Sequence, residues 1–243
     1  MRRLLAAALA LVLLLPLSAC AKEVQLPAAD YFTEIVTVYA QENGNSIQLM
    51  YPAVSGYADA EAETRINAAI AEYAMEMYRR ENLIADEEGG YEYSAVEAVV
   101  MLETEGFLSA YVGGIIASEV SGNTVYFAYT LNCDIRNGVL YTTEELLSDY
   151  GKLAKRFADG DFTQHFGYKN LEQQTHLTDM ISQYKAEYGI YPDVYFTDGG
   201  LGFLIEVVPL LDGYAGYTLP IRQAKSCLNT ENPLAAFVAG EHE

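Results

Sequence analysis

From Val125 to Ile135 every second residue is apolar: Val125, Phe127, Tyr129, Leu131, Cys133 and Ile135 run in one register, with Thr130, Asn132 and Asp134 between them and Arg136 following. A period of two sends the two sets to opposite faces of a strand. The pattern predicts a strand over 123–136 with one face in a core and the other in water. Similar β-rich runs at 91–103 and 107–117, joined by Thr104-Glu105-Gly106 and by the turn at 118–122, complete an expected antiparallel meander. Upstream, 31–39 and 46–50 flank Glu42-Asn43-Gly44-Asn45, a hairpin signal, after which Tyr51-Pro52 is expected to leave the sheet.

Helical spacing appears where the alternation stops. Asp59 stands where an N-cap would, and Ile66, Ile70, Tyr73 and Met77 recur at helical intervals, drawing one apolar stripe. Thr142 and Glu145 form a capping-box pattern ahead of Leu146, Tyr150, Leu153 and Phe157, with Gly151 the expected point of division into two short helices. Leu177, Ile181, Tyr184 and Tyr188 predict another helix over 172–188. A closing hairpin is expected from 194–197 and 201–207 around Asp198-Gly199-Gly200, whose glycines permit positive φ, followed by a strand over 214–221. These elements specify an α+β fold, a largely antiparallel sheet with helices packed on it.

The N-terminus follows a different logic. Arg2 and Arg3 precede the apolar run from Leu4 to Leu15, and Leu17-Ser18-Ala19 lead into Cys20, the order of a lipoprotein signal peptide. The run is shorter than the roughly 20 residues of a spanning helix. The expected organisation is a signal peptide over 1–19, a lipidated tether over 20–30, one domain over 31–228 and a tail over 229–243 whose apolar patch at 234–238 either docks or frays. Lipidation of the Cys20 thiol, with acylation of the freed amine, would make the membrane a partner through a lipid anchor. The implied location is the cell envelope, on the outer face of the cytoplasmic membrane, or periplasmic or at the outer membrane in a host with two membranes.

Charge narrows the partners. The chain carries 34 acidic residues against 14 basic ones, a formal net charge of −20, and removal of Arg2 and Arg3 makes the remainder more acidic still. Nucleic acid is excluded as a natural ligand because phosphate contacts need clustered Lys and Arg. Basic proteins are attracted instead, while the same acidity also serves solubility.

Catalytic and metal patterns are weak. His165, His176 and His242 fall in no zinc-ligand spacing, and no G-x-S-x-G elbow is present. Gly113-Gly114 lacks the Lys and Ser/Thr of a phosphate loop and reads as a bulge or a close-packing site. Asp159-Gly160-Asp161 lacks the remaining oxygen ligands of a calcium loop and reads as a turn. Asp134, Asp198, Glu206 and Asp212 lie at strand ends, where loops would have to gather a pair for a hydrolase. With Cys20 lipidated, Cys133 and Cys227 remain, either as an oxidised pair or as buried thiols. No cofactor is indicated. Tyr91, Tyr93, Tyr126 and Tyr129 are expected to serve mainly as strand packing.

Three ordered segments carry a family resemblance across residues 31–227. They are Tyr51-Pro52 with the later Ile66-Asn67; Asp134-Ile135-Arg136-Asn137-Gly138 with Leu140 and Glu145-Leu146-Leu147; and Tyr195-Phe196-Thr197-Asp198-Gly199-Gly200-Leu201 with Tyr214-Ala215-Gly216 and Pro220. The chain resembles the RsiV-like extracellular domain family. The resemblance implies an α+β domain of bacterial surfaces, found in a lysozyme-sensing anti-sigma factor, as a noncatalytic module in a peptidoglycan deacetylase, and in uncharacterised lipoproteins. Where members often carry Gly-Ala-His, this chain has Val120-Ser121-Gly122-Asn123-Thr124, so no histidine role transfers. It also shows no deacetylase region and no cytoplasmic segment with which to pass a signal inward. The expected function is a surface-tethered, noncatalytic binding lipoprotein, with lysozyme or another basic cell-wall-active protein as a candidate ligand. The alternatives are an envelope hydrolase using a carboxylate pair and a structural or assembly lipoprotein.

Overall fold

The computed structural model describes residues 26–82, 91–118, 122, 124–167, 193–207 and 213–240. Strands β1 (Phe32–Glu42) and β2 (Asn45–Ser55) form the first hairpin, closed by Asn43 and Gly44 at positive φ of 54° and 85°. Contrary to expectation, Tyr51-Pro52 stays in the sheet, with Pro52 opposite Ile35. A proline is tolerated there because the parallel ladder of β2 to the next strand spans only Ser46, Ile47 and Gln48, so the missing N–H lies on a side with no strand to bond. Two residues on, the Asn67 side chain takes a strand's place: it accepts from Val54 N–H and donates to Val54 C=O, both at 2.8 Å.

Asn67 belongs to helix α1 (Ala60–Asn82), whose first turn is capped by Asp59 Oδ1 accepting from the Glu61 and Ala62 amides at 3.0 Å. Of the predicted stripe, Ile66, Ile70 and Met77 are buried and Tyr73 half-buried; with Ala74 they pack with Leu108, Ala110, Val112, Phe127, Tyr129, Leu131 and Cys133. α1 carries the chain between β2 and β3 (Tyr91–Thr104), which run parallel as a helical crossover permits. β3, β4 (Phe107–Ser118) and β5 (Thr124–Asp134) then form the expected antiparallel meander, extended by the two-residue β6 (Val139–Leu140). The first sheet has the order β1-β2-β3-β4-β5-β6. Gly114 marks close packing: a Cβ would collide with the Ser94 carbonyl and the Phe127 ring.

A second sheet, ordered β7-β10-β9-β8, comprises β7 (Thr163–Phe166), β8 (Val194–Thr197), β9 (Gly200–Val207) and β10 (Gly213–Pro220). Helices α2 (Thr143–Leu146), α3 (Tyr150–Ala158), α4 (Ile221–Ala224) and α5 (Pro233–Val238) cover one of its faces around Leu146, Leu153, Phe157, Phe196, Phe203, Tyr217 and Leu219. The Thr142–Glu145 capping box is formed, and the helical run divides before Gly151, at Asp149, which caps α3. The other face rests on the first sheet through Tyr111, Tyr195 and Leu204.

This second sheet overturns the expectation of a water-facing side on β5. Thr130, Asn132 and Asp134 are buried. Their polarity is used against protein: Asn132 Nδ2 donates to Val194 C=O at 2.8 Å, Ser109 Oγ donates to Asn132 Oδ1 at 2.8 Å, and Phe196 N–H donates to Ser109 Oγ at 2.9 Å. Val194 N–H donates to Thr143 Oγ1 at 3.3 Å. Side chains thus satisfy the outer backbone of β8, an edge strand that would otherwise bury unpaired groups.

One further expectation changes and an open alternative is decided. The β8–β9 turn is present, but neither Gly199 nor Gly200 adopts positive φ; glycine is needed at 200 because a Cβ would stand 2.7 Å from the Leu219 carbonyl oxygen of β10. The residues read as a tail dock: Leu234, Ala235 and Val238 enter the second core, and Asn232 caps α5. Part of the tether docks too, since Pro27 C=O accepts from Thr104 Oγ1 and Leu26 packs against that core. The predicted signal peptide, Cys20 and the helix expected over 172–188 lie outside the described residues.

Candidate functional site

Among the described residues, those singled out for chemistry do not come together. Asp134 is fully buried at the end of β5, accepting from Asn137 N–H at 3.1 Å, Asn137 Nδ2 at 2.8 Å and Tyr141 Oη at 3.3 Å, with Arg136 Nε at 3.7 Å. Its carboxylate fastens a turn and is closed to a substrate. Asp198 is an exposed residue of the β8–β9 turn. Glu206 lies on β9, its side chain outside the described residues, as are Asp212, His176 and His242. His165 is exposed on β7, beside a shallow cleft of about 290 Å³ lined by Thr163, Thr197, Gly199, Gly200 and Thr218. Among the described residues that line it, His165 is the one titratable side chain.

The Asp159-Gly160-Asp161 segment is a helix-end turn, Gly160 at φ 80°. Asp159 pairs with Lys155 at 2.6 Å and Asp161 with Arg156 at 2.9 Å, so both carboxylates already hold cations of α3. No group of three or more His, Cys, Asp or Glu side chains suited to a metal occurs among the described residues. Cys133 and Cys227 are free thiols, buried in different cores, one against α1 and the other behind the second sheet. The pair left open by the sequence is therefore not joined here. Burial pushes both thiols above their ordinary pKa. Among the tyrosines, Tyr93 and Tyr129 are core residues and Tyr91 and Tyr126 half-buried, in line with strand packing.

A different place gathers exposed functional groups. At the corner shared by β1, β2 and β3, a cleft of about 420 Å³ is lined by Tyr39, Gln41, Ser46, Gln48 and Glu92. The register explains the company. Tyr39 faces Gln48 and Gln41 faces Ser46 across the hairpin, while Ser46 faces Glu92 across the parallel ladder, so all five side chains stand on one side of the sheet. Gln48 is fixed by donating Nε2 to the Ala95 carbonyl at 3.1 Å. Tyr39 is 75 % exposed, a large ring left in water.

The groups gathered at this corner are an exposed aromatic ring, two amides, a hydroxyl and a carboxylate. An exposed ring face and a carboxylate in one cleft attract ammonium or guanidinium through cation–π and ion-pair interactions. From Glu23 to Thr64 the sequence contains no Lys, Arg or His, while Asp30, Glu34 and Glu42 accompany β1, Glu42 paired with Arg79 of α1 at 3.7 Å. Sequence reasoning passed over Tyr39, which looked like the end of an ordinary strand. The available signal was that basic-free run around an apolar edge.

Among the described residues, no helix is long and apolar enough to cross a membrane. No family model matches the chain, and no curated protein matches it. The fold is similar to two solved structures of the DUF3298 family, a domain of unknown function. One, from Bacteroides fragilis, is 16 % identical with a TM-score of 0.49 and covers 89 % of this chain and 99 % of its own. The other, from Pseudomonas aeruginosa, is 11 % identical with a TM-score of 0.46 over 85 % of this chain and 96 % of its own.

Proposed function

We propose that this protein is a noncatalytic binding lipoprotein of the bacterial envelope, tethered through Cys20 and related to the RsiV-like extracellular domains, which captures a basic protein at the β1–β2–β3 corner. The observation that carries the reading is the Tyr39 ring, three-quarters exposed in one cleft with the Glu92 carboxylate. Net charge brings a cationic partner to the surface, and the corner gives one of its Lys or Arg side chains a specific seat. Lysozyme, a basic cell-wall-active protein, is the natural first ligand to examine.

Calorimetric titration with lysozyme at about 0.1 M and about 1 M salt, where screening lengths differ severalfold, tests the proposal. Binding is expected at the lower salt, weakened several-fold at the higher, and weakened up to roughly tenfold by Tyr39→Ala or Glu92→Gln. Absence of heat at low salt removes lysozyme as the ligand, and equal affinity of the variants removes the corner as its seat.

A further inference from the structure

We propose that β1 is an acceptor edge for strand addition, and that its occupant is an extended, lysine- or arginine-bearing segment of the basic partner; this rests on the binding function proposed above. The argument starts from the direction of the backbone groups. In an antiparallel pair, residues opposite one another either exchange both hydrogen bonds or point both sets of groups away from each other. Val54 sends its N–H and C=O to Asn67, away from β1, so the Thr33–Val54 pair is of the second kind. The ladder runs without a register shift to Glu42–Asn45, and the alternation therefore carries Ile35, Thr37 and Tyr39 along with Thr33. Their backbone N–H and C=O groups face outward, at the two-residue repeat that an added strand requires.

The strands at the other ends of the two sheets are short or have side chains on their outward groups. β6 has two residues and β7 four. On β8 the outward N–H and C=O of Val194 and the N–H of Phe196 are taken by Thr143, Asn132 and Ser109. β1 has 11 residues and, among the described residues, no strand on its outer side. It also lacks the usual protections of an edge, having no Lys, no Pro and no bulge. Phe32 and Tyr39, 74 % and 75 % exposed, stand near its two ends as anchors.

Charge selects the occupant. β1 carries Glu34 and Glu42 and no basic residue; Glu42 pairs with Arg79 of α1 at 3.7 Å, which leaves Glu34 on the strand and Glu92, in the cleft with Tyr39, as the acids that face an incoming cation. A second copy would bring the same acidic strand and the same net charge against this edge, whereas a segment alternating apolar and basic residues places cations opposite it.

The probe is a peptide of alternating valine and lysine, long enough to match β1, and a version N-methylated at every second residue. Hydrogen exchange resolved to single amides is expected to slow at Ile35, Thr37 and Tyr39 when the first peptide is added. N-methylation is expected to weaken binding roughly tenfold or more, as loss of main-chain hydrogen bonds dictates. Thr37→Pro removes an outward donor without touching a bond to β2 and should weaken the unmodified peptide similarly while lysozyme still answers to Tyr39→Ala. If the peptides bind equally and β1 exchange is unchanged, the strand-addition proposal is overturned while the binding function survives. If peptide and lysozyme both fail at low salt, both proposals fall. Slowed β1 exchange that depends on protein concentration alone identifies a second copy as the occupant and overturns the basic one.

Discussion

Asn132 shows how a single buried polar residue can hold two sheets in register. Its amide accepts from Ser109 and donates to the Val194 carbonyl, so that β8 meets β4 and β5 through directional bonds. Asn132→Ala would leave that carbonyl buried and unpaired, a cost of about 1–3 kcal/mol. A lower urea midpoint with an unchanged slope is the expected result, and an unchanged midpoint would contradict it. The alternation of Thr130, Asn132 and Asp134 was legible as a polar face, but nothing local distinguishes a face that meets water from one that meets hydrogen-bonding protein. Next along the chain, Cys133 faces the core with its thiol pKa raised by burial. Neither it nor Cys227 should react appreciably with a thiol reagent at neutral pH in the folded protein, and both should react on unfolding. Rapid labelling of the native state, or no thiol after unfolding under nonreducing conditions, would be inconsistent with two buried free cysteines.

At the scale of elements, periodicity served best where one face is apolar along its whole length. The α1 stripe is such a case, and Ile66 and Ile70 are fully buried against the first sheet. Ile70→Ala should destabilise by about 2–5 kcal/mol, against a change within about 0.5 kcal/mol for an exposed residue of the same helix such as Glu72. Equal effects at the two positions, measured by denaturant unfolding, would mean that the helix is not docked as described. Strand ends were harder to read. Pro52 looked like a terminator, yet its position is supported because β2 is paired on one side there and bonded to a helix side chain two residues later. The hairpin corner was hard to read for a related reason: Glu92 is far in sequence from Tyr39 and Gln48 and joins them through the parallel ladder.

Over the whole molecule, buried tyrosines set the response to alkali. Burial, with Glu97 nearby, pushes Tyr111 up to about 12, and burial, with Asp134 nearby, does the same to Tyr141. Burial also raises Tyr31, Tyr73, Tyr129, Tyr150 and Tyr195. A tyrosine ionising near its ordinary 10.0 in the unfolded chain, and later in the folded one, leaves the folded state holding more protons as pH rises. The stability from these groups is therefore complete below about pH 9 and lost progressively from about pH 10 to 12. Melting temperatures should hold steady up to about pH 9 and then fall, and a flat profile through that upper range would refute the burial of these rings. Docking of α5 is a second property of the whole. Truncation before Asn232 strips Leu234, Ala235 and Val238 from the second core, and is expected to lower the melting temperature by several degrees or more in a thermal scan.

The amino-acid sequence by itself determined the acidic character, the strands of the meander and of the first and closing hairpins, the α1 stripe, the capping box and the α+β class, because each depends on neighbours a few residues away and on the fixed periods of helix and strand. Tertiary structure alone decided that a second sheet would cover the polar face of β5, that Asn67 would complete β2, that Asp134 would be spent on a turn, and that Tyr39 and Glu92 would share a cleft at an open edge. Those outcomes depend on which distant groups satisfy a buried donor or acceptor and which edge is left without a partner, and local periodicity carries no information about either.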